Sequence, residues 1–168
     1  MEAAIHEELE YFNSKVWVGV PLQQALDDPE GKIVGCRWVV SNKNDINDPD
    51  VRARLVAQEV STHADTSFYA ATPPLESKRM LLSDWATRRT HEGKPLKLSF
   101  VDIRKAYFNG TPSRRLYIRL PPEMGMGKST VARLERCMYG TRGAVASWEG
   151  VYTDAILAMG FTQGAASP

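Results

Sequence analysis

Cysteine, histidine and long apolar runs are all scarce in this chain. The two cysteines, Cys36 and Cys137, stand in separate apolar segments. Such usage argues against a disulfide framework or a zinc site and reads as two buried thiols in a reducing compartment. The three histidines, His6, His63 and His91, lie too far apart in sequence to show ligand spacing. No apolar run approaches the roughly 20 residues that a membrane helix needs. The first ten residues carry Glu2, Glu7, Glu8 and Glu10, which excludes a secretory or transit peptide there. With no targeting signal and no membrane span, the expected location is intracellular, cytoplasmic or nuclear.

What is present describes an ordinary soluble domain. The 168 residues are 43% apolar and 24% charged, enough for one real core. The net charge of +1 is uninformative, but its distribution is not. Residues 1–30 hold seven acidic side chains against one lysine, whereas residues 76–119 hold eleven basic against four acidic. Such a basic stretch is either a solvated face or a track for phosphate backbones, and composition leaves both open.

Periodicity divides the chain into short elements. Residues 1–13 form an acidic helix with Ile5, Leu9 and Phe12 on its apolar side. Trp17–Val20 is a short strand ended by Pro21, and Asp27–Gly31 a turn. Lys32–Ser41 is rich in β-branched and aromatic residues and reads as one strand. A polar turn then leads to Val51–Gln58, its antiparallel partner. Arg52 and Arg54 share one face of that second strand. Side by side they could fork onto a triphosphate, or simply form the wet face of a half-exposed sheet.

Residues 61–74 read as a loop, and Leu75–Glu92 as a helix with Leu75, Leu82, Trp85 and Ala86 inward. Arg115–Leu120 alternates as a strand, and Val131–Cys137 is a further extended segment. After a turn at 139–143, Trp148, Val151, Tyr152, Ala155, Ile156 and Met159 repeat with the spacing of a buried helical stripe, and Gly160 closes it. The run Gly125-Met126-Gly127-Lys128-Ser129 imitates a phosphate-binding loop. That motif needs a glycine where Pro122 stands, so the match is fortuitous.

The most informative stretch is Leu96–Gly110. Leu98, Phe100 and Asp102 alternate onto one face of a strand, and the residues after Asp102 read as one or two helical turns stopped by Asn109-Gly110. A carboxylate at such a corner either caps the helix or carries metal-dependent chemistry, and local pattern alone favours the cap. Strands and helices do not alternate regularly enough for a doubly wound sheet. The expected class is α+β, an antiparallel sheet with packed helices.

In order, these segments resemble the reverse-transcriptase region of copia-type LTR retrotransposon polyproteins. The carrying blocks are Lys32-Ile33-Val34-Gly35-Cys36-Arg37-Trp38-Val39-Val40, Arg52-Ala53-Arg54-Leu55-Val56-Ala57-Gln58, Phe100-Val101-Asp102-Ile103-Arg104-Lys105-Ala106-Tyr107-Phe108-Asn109-Gly110, and Cys137-Met138-Tyr139-Gly140-Thr141-Arg142 with Trp148 behind it. Residues 71–77 and 116–122 also resemble family segments. Behind the acidic N-terminal helix, taken as residues 1–16, the resemblance implies a fingers-like β region at 17–74 and a partial palm-like region at 75–168. It implies RNA-directed DNA polymerase activity, a nucleotidyl transfer using Mg²⁺, with an RNA/DNA template-primer and a dNTP as partners. Asp102 would be a catalytic metal ligand and Tyr107 the gate under the incoming sugar. Val101 or Ile103 would lend its backbone to the metal or the triphosphate. Arg54, with Arg52 as a second, would grip the triphosphate. Arg88, Arg89, Lys97, Arg104 and Lys105 would track nucleic-acid phosphates.

The chain also departs from the family pattern. Gly143, Val145 and Ala146 replace the family's Gln and Pro-Arg in the fourth block. The family's paired catalytic aspartates follow a Gly-Phe that matches Gly160-Phe161, and the 168 residues end before such a pair. The expectation is therefore a reverse-transcriptase-like fragment, inactive as this chain alone. The alternative is a non-catalytic nucleic-acid-binding or interaction module, with a partner protein covering the sheet that the missing hairpin would cover.

Overall fold

A computed structural model describes residues 1–44, 47–59 and 74–163. The described residues form a mixed α/β assembly of two sheets and four helices. Helix α1 (Glu2–Lys15) leads into β1 (Trp17–Pro21) and a one-turn helix α2 (Leu22–Leu26). Strands β2 (Lys32–Val34), β3 (Cys36–Asn42) and β4 (Val51–Ala57) follow. Next come α3 (Leu75–Thr87), β5 (Leu116–Arg119), β6 (Thr130–Leu134) and α4 (Ala144–Ala158). No described helix is long and apolar enough to cross a membrane.

The larger sheet has the order β1-β6-β5-β2, antiparallel except for the parallel pair β2–β5. It takes two strands from before residue 74 and two from after it. The smaller sheet is the β3–β4 hairpin, with Trp38 opposite Leu55 and Val39 opposite Arg54. The single strand expected at 32–41 is thus two. Gly35 is the break, its carbonyl accepting from the Gln58 backbone N–H at 2.8 Å. Val34 and Cys36 thereby enter different sheets.

The core lies where α1 covers the hairpin and the larger sheet. Leu9 and Phe12 from α1 pack with Trp17, Leu55, Phe108, Ile118 and Met138, all at most 6% exposed. The rings of Phe12 and Phe108 meet edge-on at 5.1 Å, and those of Phe12 and Trp17 tilt together at 4.7 Å. Both cysteines are free thiols. Burial, with a smaller push from Glu123, raises the Cys36 thiol to about 11, which keeps it protonated at neutral pH. A second tie is polar. The Glu59 side chain, fully enclosed, takes Arg114 at 2.8 Å, Lys32 at 3.4 Å and the Arg142 backbone N–H at 2.9 Å.

Three further sequence expectations do not hold. Residues 96–103 belong to no strand, and Phe100 and Val101 are 84% and 71% exposed. A strand exists only by its ladder, and this segment has no ladder partner among the described residues. Helix α3 stops at Thr87, five residues earlier than expected, and none of its residues is buried. Helix α4 spans the expected range, but only Ala144 is buried, leaving Val151, Tyr152 and Met159 exposed. The apolar side of α3 stays open, and that of α4, which packs on residues 106–109, is covered only in part. The loop expected at 61–74 lies outside the described residues except for Pro74, the N-cap of α3.

Candidate nucleotide cleft

Strand β4 alternates cleanly: Ala53, Leu55 and Ala57 turn inward, and Arg52 and Arg54 outward. The inward set packs under α1, so the two arginines project from a rigid support. They line a cleft of about 730 Å³ with Lys43, Asp50, the corner Asp102–Lys105, Tyr139 and the α1 residues Ala4, Glu7 and Glu8. Six of the residues singled out from sequence, Arg52, Arg54, Asp102, Ile103, Arg104 and Lys105, therefore meet in one place.

Tyr139 is the floor on which Arg54 lies, its guanidinium carbon 5.6 Å from the ring centroid. This is a stacking geometry that arginine tolerates and lysine reproduces poorly. Tyr139 in turn meets Tyr107 edge-on at 5.1 Å and Phe108 at 5.3 Å. Burial raises the Tyr139 hydroxyl above its ordinary value; the Arg54 charge opposes the shift and Glu8 adds to it. The ring is held because the Tyr139 carbonyl accepts from the Ala57 N–H at 2.7 Å. Gly140 follows with φ of 82°, and a Cβ there would stand 2.1 Å from the Ala57 carbonyl oxygen. Only glycine satisfies both the left-handed backbone and that approach.

The Asp102 corner is made differently from the strand-to-helix turn expected. Lys105 adopts φ of 55°, the one non-glycine residue with positive φ among those described. A single 3-10 turn, Ala106–Asn109, then drives Phe108 into the core. The positive φ expected at Asn109-Gly110 is absent; Gly110 has φ of −80°. Glycine serves there for space, because a Cβ would meet the Ser147 hydroxyl at 2.7 Å.

The cations of the cleft are not equivalent. Lys105 donates to Glu8 at 2.8 Å and is largely enclosed, and Arg104 lies 3.7 Å from Glu7 in solvent. Arg52 and Arg54 make no ion pair among the described residues. A second cavity of about 570 Å³, lined by Arg114, Arg115 and Arg133, is the opposite case. There Arg114 pairs with Glu59, Arg115 with Asp28 and Glu30, and Arg133 with Glu135. Arginines already matched to carboxylates hold an anion poorly; the pair on β4 is available for one.

Other sequence-derived residues fall outside the cleft. Arg88 caps α3 and pairs with Asp84 at 2.9 Å, and Arg89 bonds to the carbonyls of Ala86 and Arg88. Lys97 and Val101 lie exposed on the unpaired segment. Sequence reasoning passed over Lys43, Glu8 and, as an individual residue, Tyr139. Glu8 carries a signal in the sequence. With Ile5, Leu9 and Phe12 it completes the i, i+3, i+4, i+7 stripe, where a charge implies a buried partner. Among the described residues, no group of three or more His, Cys, Asp or Glu side chains could hold a metal ion.

No solved structure matches the chain. A protein-family model described as reverse transcriptase (RNA-dependent DNA polymerase) matches residues 22–167, which contain the hairpin, the Asp102 corner and the Tyr139-Gly140 clamp. The chain belongs to the reverse transcriptase (RNA-dependent DNA polymerase) family.

Proposed function

We propose that the chain is the fingers and partial palm of a copia-type reverse transcriptase, and that its cleft receives the triphosphate of an incoming deoxynucleotide. The single observation carrying this is the pair Arg52 and Arg54, exposed on β4, without carboxylate partners among the described residues, and lining one cleft with Asp102. Forked donors from two arginines match adjacent phosphates. The Tyr139 ring beneath Arg54 limits the rotamers that the guanidinium would lose on binding. In this reading Arg54 and Arg52 hold phosphates, and Tyr107 contributes an aromatic edge near the sugar. Val101 and Ile103 offer backbone groups beside Asp102. Arg89 and Lys97 give a sparse basic track for template or primer, whereas Arg88 and Arg104 already face Asp84 and Glu7. Lys105, paired with Glu8, serves the corner rather than a phosphate.

Reverse transcriptases use divalent metals, Mg²⁺ being the expected one. The described residues do not make a complete metal site, since Asp102 belongs to no cluster of three potential ligands. Two-metal transfer needs carboxylates on both sides of the reacting phosphate. The 168 residues alone are therefore proposed to bind nucleotide and nucleic acid without synthesising DNA.

The test is fluorescence anisotropy with labelled dATP, with tripolyphosphate as competitor, together with primer extension on an RNA template. The reading expects saturable binding that Arg54→Ala weakens roughly tenfold, the worth of a lost charge-assisted contact, and no extension. Binding indifferent to Arg54→Ala overturns the cleft assignment, and template-dependent extension overturns the claim of inactivity.

One observation favours a second reading, a non-catalytic nucleic-acid-binding or interaction module. Met80, Leu81, Phe100 and Val101 are each more than 60% exposed, apolar side chains of the kind that partner proteins cover. Affinity for an RNA/DNA hybrid that falls steeply with salt supports a nucleic-acid role; salt-indifferent or absent binding leaves only protein interaction.

A further inference from the structure

We propose that Glu8 and Tyr11, on the N-terminal helix, are positioning residues that hold the Asp102 corner at the cleft by clasping Lys105. The segment before this corner has no ladder to fix it: residues 96–103 pair with no strand among those described. Lys105, three residues after Asp102, is the described chain's one non-glycine residue at positive φ. Such a conformation persists only where its surroundings over-determine it, and it concentrates at functional sites.

The surroundings here are α1. The Lys105 ammonium donates to Glu8 Oε2 at 2.8 Å and lies 3.6 Å from the centroid of the Tyr11 ring. Glu8 is 6% exposed, on a helix whose Leu9 and Phe12 are anchored in the core. A buried ion pair is poor evidence for stability, because desolvation cancels most of the attraction; its best-attested use is to specify one geometry over others. An unpaired Glu8 or Lys105 would be costly to bury, so the corner has one low-energy seat, and in that seat Asp102 lines the same cleft as Arg52 and Arg54. The functional purpose of this seat rests on the nucleotide reading above.

The test compares the full chain with Glu8→Gln/Lys105→Gln, which removes both charges together and so strands neither in the interior. Spin labels at Asp50→Cys and Ile103→Cys, in a Cys36→Ala/Cys137→Ala background, report the distance across the cleft. The inference expects a narrow distribution in the parent that broadens by roughly twofold in the double variant. A single Lys105→Arg, which keeps the charge and stacks on Tyr11, should restore the narrow form, whereas Lys105→Met should not. Amide exchange in the unlabelled proteins gives an independent readout, with residues 101–108 opening roughly tenfold more often in the double variant and β4 unchanged. An unchanged distribution and unchanged exchange overturn the inference and leave the nucleotide reading intact. Loss of labelled dATP binding sensitivity to Arg54→Ala, with broadening still observed, overturns the nucleotide reading and leaves the clasp as a structural device only.

Discussion

Gly140 shows how a single residue joins the hairpin to the rest of the site. Its φ of 82° and the 2.1 Å approach that a Cβ would make to the Ala57 carbonyl leave no room for a side chain. Gly140→Ala should destabilise the fold by at least about 2 kcal/mol, the strain of a left-handed alanine added to a backbone clash. Because the shift would part Tyr139 from β4, it should also loosen the Arg54 stack. Urea unfolding monitored by tryptophan fluorescence checks the first effect, and a control at Gly150, where a Cβ meets nothing within 4 Å, should show no comparable loss. The sequence marks Gly140 within a family block but not the reason for it. Chain geometry brings Ala57 to Gly140, and no local pattern encodes an approach across 83 positions.

Elements differ in whether the apolar face they advertise is used. Helix α1 and hairpin β3–β4 were legible, because period-3.6 and period-2 patterns each coincided with a local partner: the hairpin's own return strand, and the helix stripe against it. Helices α3 and α4 carry equally regular stripes, yet α3 buries none of its residues and α4 only one. Periodicity says which side is apolar and never what covers it. The strand expected at 98–102 failed similarly, since alternation supplies a face but not the neighbour that makes a ladder. A paired comparison follows. Phe12→Ala, at a fully buried α1 position, should cost about 3–5 kcal/mol. Met80→Ser on α3, at a site 74% exposed, should change stability by less than about 0.5 kcal/mol. Thermal or denaturant melts of both variants decide it; a large loss from Met80→Ser would mean that α3 packs on something in solution.

At the scale of the whole molecule, two cavities lined by arginines are set apart by charge matching. In the groove of Arg114, Arg115 and Arg133 every guanidinium has a carboxylate partner. In the cleft of Arg52 and Arg54 the acidic helix α1 is occupied with Lys105 and Arg104 instead. The sequence foreshadowed this through the acid-rich first 30 residues and the Arg52/Arg54 register, but not that the two would border one cleft. Mapping of dTTP onto ¹⁵N-labelled chain by NMR titration tests the central claim most directly. The account predicts saturable shifts concentrated at residues 52–54, 102–105 and 139, with the Arg114–Arg115 region silent. Shifts centred on residues 111–115 and 133, or no saturable shift at all, would contradict it.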